Sequence, residues 1–513
     1  MRQGAGEERG LDERTAADLD LDDVFHRIDR TASAVGQQCL YSRLHRPTRE
    51  TPALEGFDAL VSELGSTGAR PGLVRRALAR IRGTNAYLLP YLLFGSLPER
   101  PAAYALVPFL TLAAAGAAVA SFFASPAFLV LVGICAVNIV IRLAYRKRIA
   151  PFLHSLPALR NLVRAGLLLS RPGGGLPEAP RTRLLSVAEP LRPLLRTTSW
   201  LVFETEKTDD LSSLLYEYVN LVFLLDVDAF LFSLELLRRK RAVIRQLFEA
   251  LGEIDGALSV AAFRGSLSAW CRPRFTPGGT ALRVEGAFHP LLAAPVANDF
   301  AVTGAGALVT GSNMSGKTTF IKTVGLDALL GGTIFTCAAR SYEAPFLDVV
   351  SAIGRIESLA EGTSYYLGEV RRVRELTRAA EDGRPHLFLL DELFRGTNTI
   401  ERIAAGKAVL SHLARGPHVT LVSTHDIELV PLLSDSHAPY HFRESVAQGA
   451  LVFDYRLRPG PSSTRNAIAL LSSAAFPESL VEDALRTVDT LERGEVGKRT
   501  SPGHTTGGST RFS

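Results

Sequence analysis

The chain has 513 residues, 47% of them hydrophobic, and carries 57 Lys and Arg against 52 Asp and Glu, for a net charge of +5 and a pI of about 9.0. That length suits two to four domains with ample apolar content for a core. The mild positive excess is compatible with a nucleic-acid or anionic-membrane partner and demonstrates neither. Its four cysteines, Cys39, Cys135, Cys271 and Cys337, are scattered without a C-x-x-C pair or a nearby His cluster, which argues against a zinc site or a disulfide framework and fits a reducing compartment. The polar, acid-rich start shows no cleavable signal peptide.

In chain order, residues 1–20 read as disordered. Leu21 to Leu44 reads as helical, with Leu21, Val24, Phe25 and Ile28 at helical spacing. Helices continue from Phe57 to Ile81, broken near Gly65 to Gly72. Between Arg100 and Arg142 there is no charged residue, and two apolar runs, 102–123 and 126–145, are long enough on paper to cross a bilayer as a helical hairpin turning at Ala124-Ser125-Pro126. The basic cluster Arg142, Arg146, Lys147 and Arg148 would keep its end on the cytoplasmic side. The competing reading is a buried hairpin of a water-soluble protein. A Pro/Gly-rich bend follows at 171–177, and residues 151–195 read as a linking helical region. Helical patterns run from Ser212 to Trp270; acidic Glu217, Asp226, Asp228 and Glu235 make Leu214 to Leu237 a core helix rather than a further span. From Thr280 to Val452 short apolar strands alternate with helices, the pattern of an α/β domain with a parallel sheet. A last helix is expected over 477–492, and a Ser/Thr/Gly-rich tail, 494–513, reads as disordered.

The most specific motif is Thr310-Gly-Ser-Asn-Met-Ser-Gly-Lys-Thr-Thr319, within which Gly311, Gly316, Lys317 and Thr318 satisfy the G-x-x-x-x-G-K-[ST] phosphate loop. Apolar Ala307-Leu308-Val309 before it and a helical run, Phe320 to Leu330, after it supply the strand–loop–helix context. There the backbone N–H groups and the helix dipole face a phosphate. Residues Gly311, Ser312, Asn313, Met314, Ser315, Gly316, Lys317, Thr318 and Thr319 are the expected nucleotide-binding set. Lys317 would neutralise β/γ-phosphate charge, and Thr318 would hold Mg²⁺.

Downstream, His386-Leu-Phe-Leu-Leu-Asp391-Glu392 is an apolar strand ending in two carboxylates. Asp391 suits Mg²⁺ and Glu392 suits polarising the attacking water, the division phosphoryl transfer needs. Leu421-Val-Ser-Thr-His425 is a further strand ending in a His that would reach the γ-phosphate.

With these motifs in place the chain resembles the MutS family of DNA mismatch-repair ATPases. The resemblance rests on the loop Thr310–Thr319, on Asp391-Glu-Leu-Phe-Arg-Gly-Thr-Asn-Thr399 and on Ser423-Thr-His425. It extends to Gly286-Ala-Phe-His-Pro290, Val296-Ala-Asn-Asp299, Gly362–Glu369 and Phe453–Pro477, and to Leu21–Gly36, Leu44-His-Arg-Pro47 and Glu253–Ala261 as parts of a helical core domain. The fold it implies is a P-loop ATPase domain of the ATP-binding-cassette type over 276–493. Before it would come a mostly helical MutS-core-like domain, 21–95 with 196–275, interrupted by the hairpin at 96–150. The resemblance also implies ATP and Mg²⁺ as ligands and a homodimer with nucleotides between subunits. Ser364 would reach the partner's ATP, Thr397 and Asn398 the partner's site, and Val296 the adenine.

The family's mismatch-reading domain and its DNA clamp find no counterpart in the sequence. Two functions therefore remain open. One is a dimeric DNA-binding ATPase related to mismatch repair and tethered to the cytoplasmic membrane through residues 102–145, with its termini and ATPase domain inside. The other is a membrane-associated ATP-driven motor that has lost DNA recognition. Intact Lys317, Asp391 and Glu392 argue against a catalytically dead nucleotide sensor.

Overall fold

The structure, a computed structural model, describes residues 10–66, 68–95, 107–197, 219, 225–312, 314–354, 365–447, 450–461 and 476–492. The chain divides into two compact units, Met1–Pro273 with Asp327–Ala338, and Arg274–Leu326 with Ala339–Ser513.

The first unit is helical: α1 Glu13–Asp18, α2 Leu21–Ile28, α3 Ala34–Leu44, α4 Thr51–Leu64, α5 Pro71–Leu78, α6 Leu89–Phe94, α7 Val107–Ala120, α8 Ser125–Leu169, α9 Glu178–Ala188, α10 Arg192–Thr197 and the 40-residue α11, Leu225–Arg264. Helix α1 lies inside the stretch expected to be disordered. Asp12 caps it by accepting the Thr15 N–H at 2.9 Å, and Thr15, Ala16 and Asp18 are buried. Charged spacing hid it, because a six-residue helix offers too few turns to display an apolar stripe. Helix α3 lies close against α11. A Cβ at Gly36 would sit 2.2 Å from Asp255 Oδ2, and one at Gly252 2.2 Å from Cys39 Sγ, so only glycine permits this approach. The buried Asp255 fixes the start of α3 by accepting from the backbone N–H of Ala32 (2.9 Å) and Ser33 (2.8 Å) and from Ser33 Oγ (2.6 Å).

The transmembrane hairpin is not supported. Among the described residues no helix is long and apolar enough to cross a membrane. Helix α7 has 14 residues, about 21 Å at 1.5 Å per residue, against about 30 Å of hydrocarbon. The second run, 126–145, lies within α8, which continues without a break through the basic cluster to Leu169. The charge-free sequence is interrupted by a turn at residues 121–124; residues 101–106 lie outside the described residues. The membrane contact through 102–145 and the placement at the cytoplasmic membrane fall with it. What is observed is a helical hairpin with many apolar side chains exposed, Phe122 and Phe123 the most.

The second unit is α/β. A four-stranded sheet has the order β1-β5-β2-β3, from β1 Arg274–Thr276, β2 Leu282–Ala287, β3 Asn298–Val302 and β5 Ser341–Pro345. A six-stranded sheet has the order β10-β9-β4-β8-β7-β6, from β4 Gly306–Thr310, β6 Asp348–Ala352, β7 His386–Asp391, β8 Val419–Ser423, β9 His437–Ala447 and β10 Ala450–Pro459. Its strands pair in parallel except β9 with β10. Strands β4 and β8 are buried at every position, as covered parallel strands are. The accompanying helices are α12 Lys317–Ile334, which ends in the helical unit, α13 Tyr365–Ala380, α14 Thr399–Leu413, α15 Leu429–Leu432 and α16 Glu478–Glu492. Leu308, Phe388, Leu390, Leu410, Leu413 and Val422 form the core that fixes the ends of β4, β7 and β8 beside one another.

Candidate functional site

Strands β4, β8 and β7 are parallel neighbours, and each ends at a motif of the sequence, so the three motifs meet at the carboxyl ends of these strands. This is the position at which open parallel sheets bind ligands. Strand β4 delivers the chain to the loop 311–316. Gly311 (φ 140°) and Gly316 (φ 101°) hold backbone conformations that side chains resist, and a Cβ on Gly311 would press on the Phe442 carbonyl at 3.0 Å. Ser315 closes the loop by donating its Oγ–H to the Ser312 carbonyl at 2.8 Å.

Lys317, first residue of α12, is buried and folds back across the loop. Its Nζ donates to the carbonyls of Gly311 (2.7 Å) and Ser312 (2.8 Å) and lies 3.4 Å from His425 Nε2. Burial lowers its pKa to about 8, and the nearby charges of Glu392 and Asp391 offset only part of that. The Thr318 hydroxyl donates to Asp391 Oδ2 at 3.1 Å. The two groups expected to share a metal are thus already adjacent. One hydroxyl and one carboxylate suit Mg²⁺, which takes few protein ligands and keeps water and phosphate oxygens.

Glu392 adopts φ 52°, a left-handed conformation costly for a residue with a side chain, held by its N–H donating to the Ser423 carbonyl of β8 at 2.9 Å. That twist aims its carboxylate at His425, with Oε1 2.8 Å from Nε2. Burial alone would raise the Glu392 pKa. The hydrogen bond from His425 and the positive charges of His425, Arg395 and Lys317 overcome it and hold the group below its ordinary range. His425 stands two residues past β8, not on it.

The other expected residues fall as follows. Met314 and Thr319 are exposed; Asn313 and Ser364 lie outside the described residues. Asn398 caps α14 by accepting the Glu401 N–H at 2.9 Å, and the Thr397 hydroxyl donates to Glu401 at 2.7 Å. In the single chain this pair shapes a helix start. The Val296 carbonyl accepts from Asn298 Nδ2 at 3.3 Å, and the same amide group reaches the Tyr455 carbonyl at 3.0 Å.

Four further residues were not singled out from sequence. Arg395 pairs with Glu392 (2.6 Å) and reaches Asp391 (3.5 Å). Glu369 accepts from the N–H groups of Arg395 (3.3 Å) and Gly396 (3.4 Å), clasping the loop after Glu392. Glu444 on β9 accepts from the Ser312 hydroxyl. Tyr455, at φ 53° in a bulge of β10, sets its ring edge 3.3 Å from where a Cβ on Gly316 would be. Arg395, Glu369 and Tyr455 lay inside quoted motif segments. Glu444 carried no sequence signal, because only strand pairing brings it to the loop.

Comparison with known proteins agrees with this arrangement. Residues 307–492 match the family model of MutS domain V. The DNA mismatch repair protein MutS of Thermus thermophilus is 32% identical over 276 residues, covering 53% of this chain and 33% of that protein. MutS of Thermus aquaticus is 30% identical over 263 residues, 50% of this chain and 31% of the relative. The DNA mismatch repair protein MutS 2 of Haloarcula marismortui is 33% identical over 201 residues, 38% and 21% respectively. The chain thus spans a third or less of the length of these curated relatives. Residues 307–492, which carry the phosphate loop and the paired carboxylates, are thus similar to domain V of the MutS family.

Proposed function

We propose that the chain is an ATPase that binds ATP with Mg²⁺ at the loop Gly311–Thr319 and hydrolyses it. The observation that carries this reading is the convergence of Thr318 with Asp391 and of Glu392 with His425 around Lys317. Bound between Thr318 and Asp391, Mg²⁺ would neutralise charge on the β- and γ-phosphates. Lys317 would exchange its two backbone carbonyls for phosphate oxygens. Glu392, kept ionised by His425, would orient and accept a proton from the attacking water, and His425 would face the γ-phosphate. Ser312, Asn313, Met314, Ser315, Gly316 and Thr319 would complete the loop around the phosphates, and Val296, whose carbonyl is joined to that of Tyr455 through the Asn298 amide, would border the base.

The family likeness supports a homodimer in which Ser364, Thr397 and Asn398 serve the partner's nucleotide. The names of the relatives support DNA as the polymer acted upon. Two measurements test these statements. ATP should bind in the presence of Mg²⁺ with at least about tenfold loss of affinity in Lys317→Ala, the worth of one charge-assisted contact; equal affinity of the two proteins would remove Lys317 from the site. Duplex, mismatched or branched DNA should stimulate hydrolysis with an effect that fades as salt rises. Hydrolysis indifferent to every DNA would overturn the DNA assignment and leave the ATPase.

A further inference from the structure

Cys271 and Cys337 are 66 positions apart in sequence, yet they face each other as an isolated antiparallel bridge inside the helical unit. The Cys271 N–H donates to the Cys337 carbonyl at 3.1 Å, and the Cys337 N–H returns to the Cys271 carbonyl at 2.9 Å. A pair that exchanges both hydrogen bonds has Cα atoms about 5.5 Å apart, inside the range a disulfide requires. The two thiols are within hydrogen-bonding reach of each other, and both are free.

The neighbours differ in a useful way. Cys337 is fully buried and packed, with its thiol donating to the Asp327 carbonyl at 3.3 Å and a Cβ on Gly331 falling only 3.2 Å from its sulfur. Burial raises its pKa well above the ordinary value. Cys271 is half-buried and thus within reach of a small solute. One thiol is open to attack and the other is held in place behind it, the arrangement of a reactive and a resolving cysteine.

The position gives the bond a consequence. Cys337 lies three residues beyond Ile334, the end of the helix that starts with Lys317, and Cys271 lies seven beyond Arg264, the end of α11. A bond between them would tie the trailing ends of these two helices and close a loop that contains the whole phosphate loop.

We propose that Cys271 and Cys337 are a redox modification site, forming a reversible intramolecular disulfide on exposure to a low-molecular-weight disulfide. The Cys271 thiol gives its proton to solvent, and its sulfur attacks one sulfur of the reagent. The reagent's S–S bond breaks, and one thiolate leaves and takes up a proton. The Cys337 sulfur then attacks Cys271 Sγ, loses its proton to the second departing thiolate and completes the bond. Two protein thiols are oxidised by two electrons in total, and one reagent disulfide is reduced to two thiols.

The site is independent of the ATPase reading and is tested without measuring hydrolysis. The folded chain is incubated with oxidised glutathione, then unfolded, alkylated, digested with trypsin and mapped. The expected result is that two of the four cysteines escape alkylation. The peptides 265–274 and 323–340 are then joined, the chain stays monomeric on a non-reducing gel, and dithiothreitol reverses the change. Cys271→Ser, a conservative change at the half-buried partner, should leave its three remaining cysteines fully alkylated after the same treatment. A linkage through Cys39 or Cys135, a crosslink between chains, or a glutathione adduct on Cys271 with no joined peptide would overturn the proposal.

Discussion

Arg395 and Glu392 form an ion pair at 2.6 Å, and the same guanidinium extends to Asp391 at 3.5 Å, so one arginine spans both carboxylates at the end of β7. The pair is partly exposed, with side-chain accessibilities of 30% and 19%. Arg395 therefore occupies the negative charge that a divalent cation needs. In the proposed reaction it would have to turn away from Asp391 before Mg²⁺ could be held there.

Replacing Arg395 with Gln should lower the Mg²⁺ concentration that half-saturates hydrolysis by about fivefold, the worth of about 1 kcal/mol for a partly exposed pair. A magnesium titration of the two proteins measures this. An unchanged or higher requirement would mean that Arg395 does not compete with the metal.

Arg264 ends α11 with its charge buried. Its Nη1 lies 2.6 Å from Asp58, its Nε donates to Thr336 Oγ1 at 2.9 Å, and Nη2 donates to the carbonyls of Ile334 (3.3 Å) and Phe335 (3.1 Å). Removing one partner from such a group strands the other. Arg264→Met should destabilise the chain by about 3–5 kcal/mol, read as a lower denaturant midpoint. A loss below about 1 kcal/mol would show that Asp58 finds compensation in Arg272, which it also meets at 2.7 Å.

Asp327 is fully buried, and its Oδ2 has no hydrogen-bond partner among the described residues, while Oδ1 accepts the Ala338 N–H at 2.6 Å. Burial raises its pKa to about 7 from 3.8. A folded pKa above the unfolded one means that the native state holds its proton longer. The stability this contributes is complete below about pH 4 and is lost as pH rises to about 7. The loss is on the order of 4 kcal/mol at most. Asp327→Asn should remove this slope, so that the variant gains on the wild type as pH rises from 4 to 8. Parallel stability curves for the two proteins would contradict the raised pKa.

Several features could be read from sequence for definite physical reasons. The phosphate loop fixes glycines at Gly311 and Gly316 because their φ values demand them, and the runs Ala307–Val309 and His386–Leu390 are apolar because β4 and β7 are covered on both faces. The charge-free runs 102–123 and 126–145 misled because hydropathy of a sequence window records composition, whereas spanning needs one helix that is both long and apolar throughout. Thr397 and Asn398 carried a motif that, within one chain, is also a helix cap. Glu444 and the Cys271–Cys337 bridge were invisible for another reason. Each depends on pairing between segments far apart in sequence, and no local pattern encodes that register.

The most direct test of the account is ATP turnover by the purified chain with Mg²⁺, wild type beside Glu392→Gln. The substitution keeps the side chain's shape and its contact with His425 while removing the proton acceptor. The account predicts measurable hydrolysis by the wild type and at least about a hundredfold slower turnover in the variant, with ATP binding retained. Undiminished hydrolysis by Glu392→Gln would contradict it, and no hydrolysis by the wild type in any nucleotide or metal condition would remove the ATPase itself.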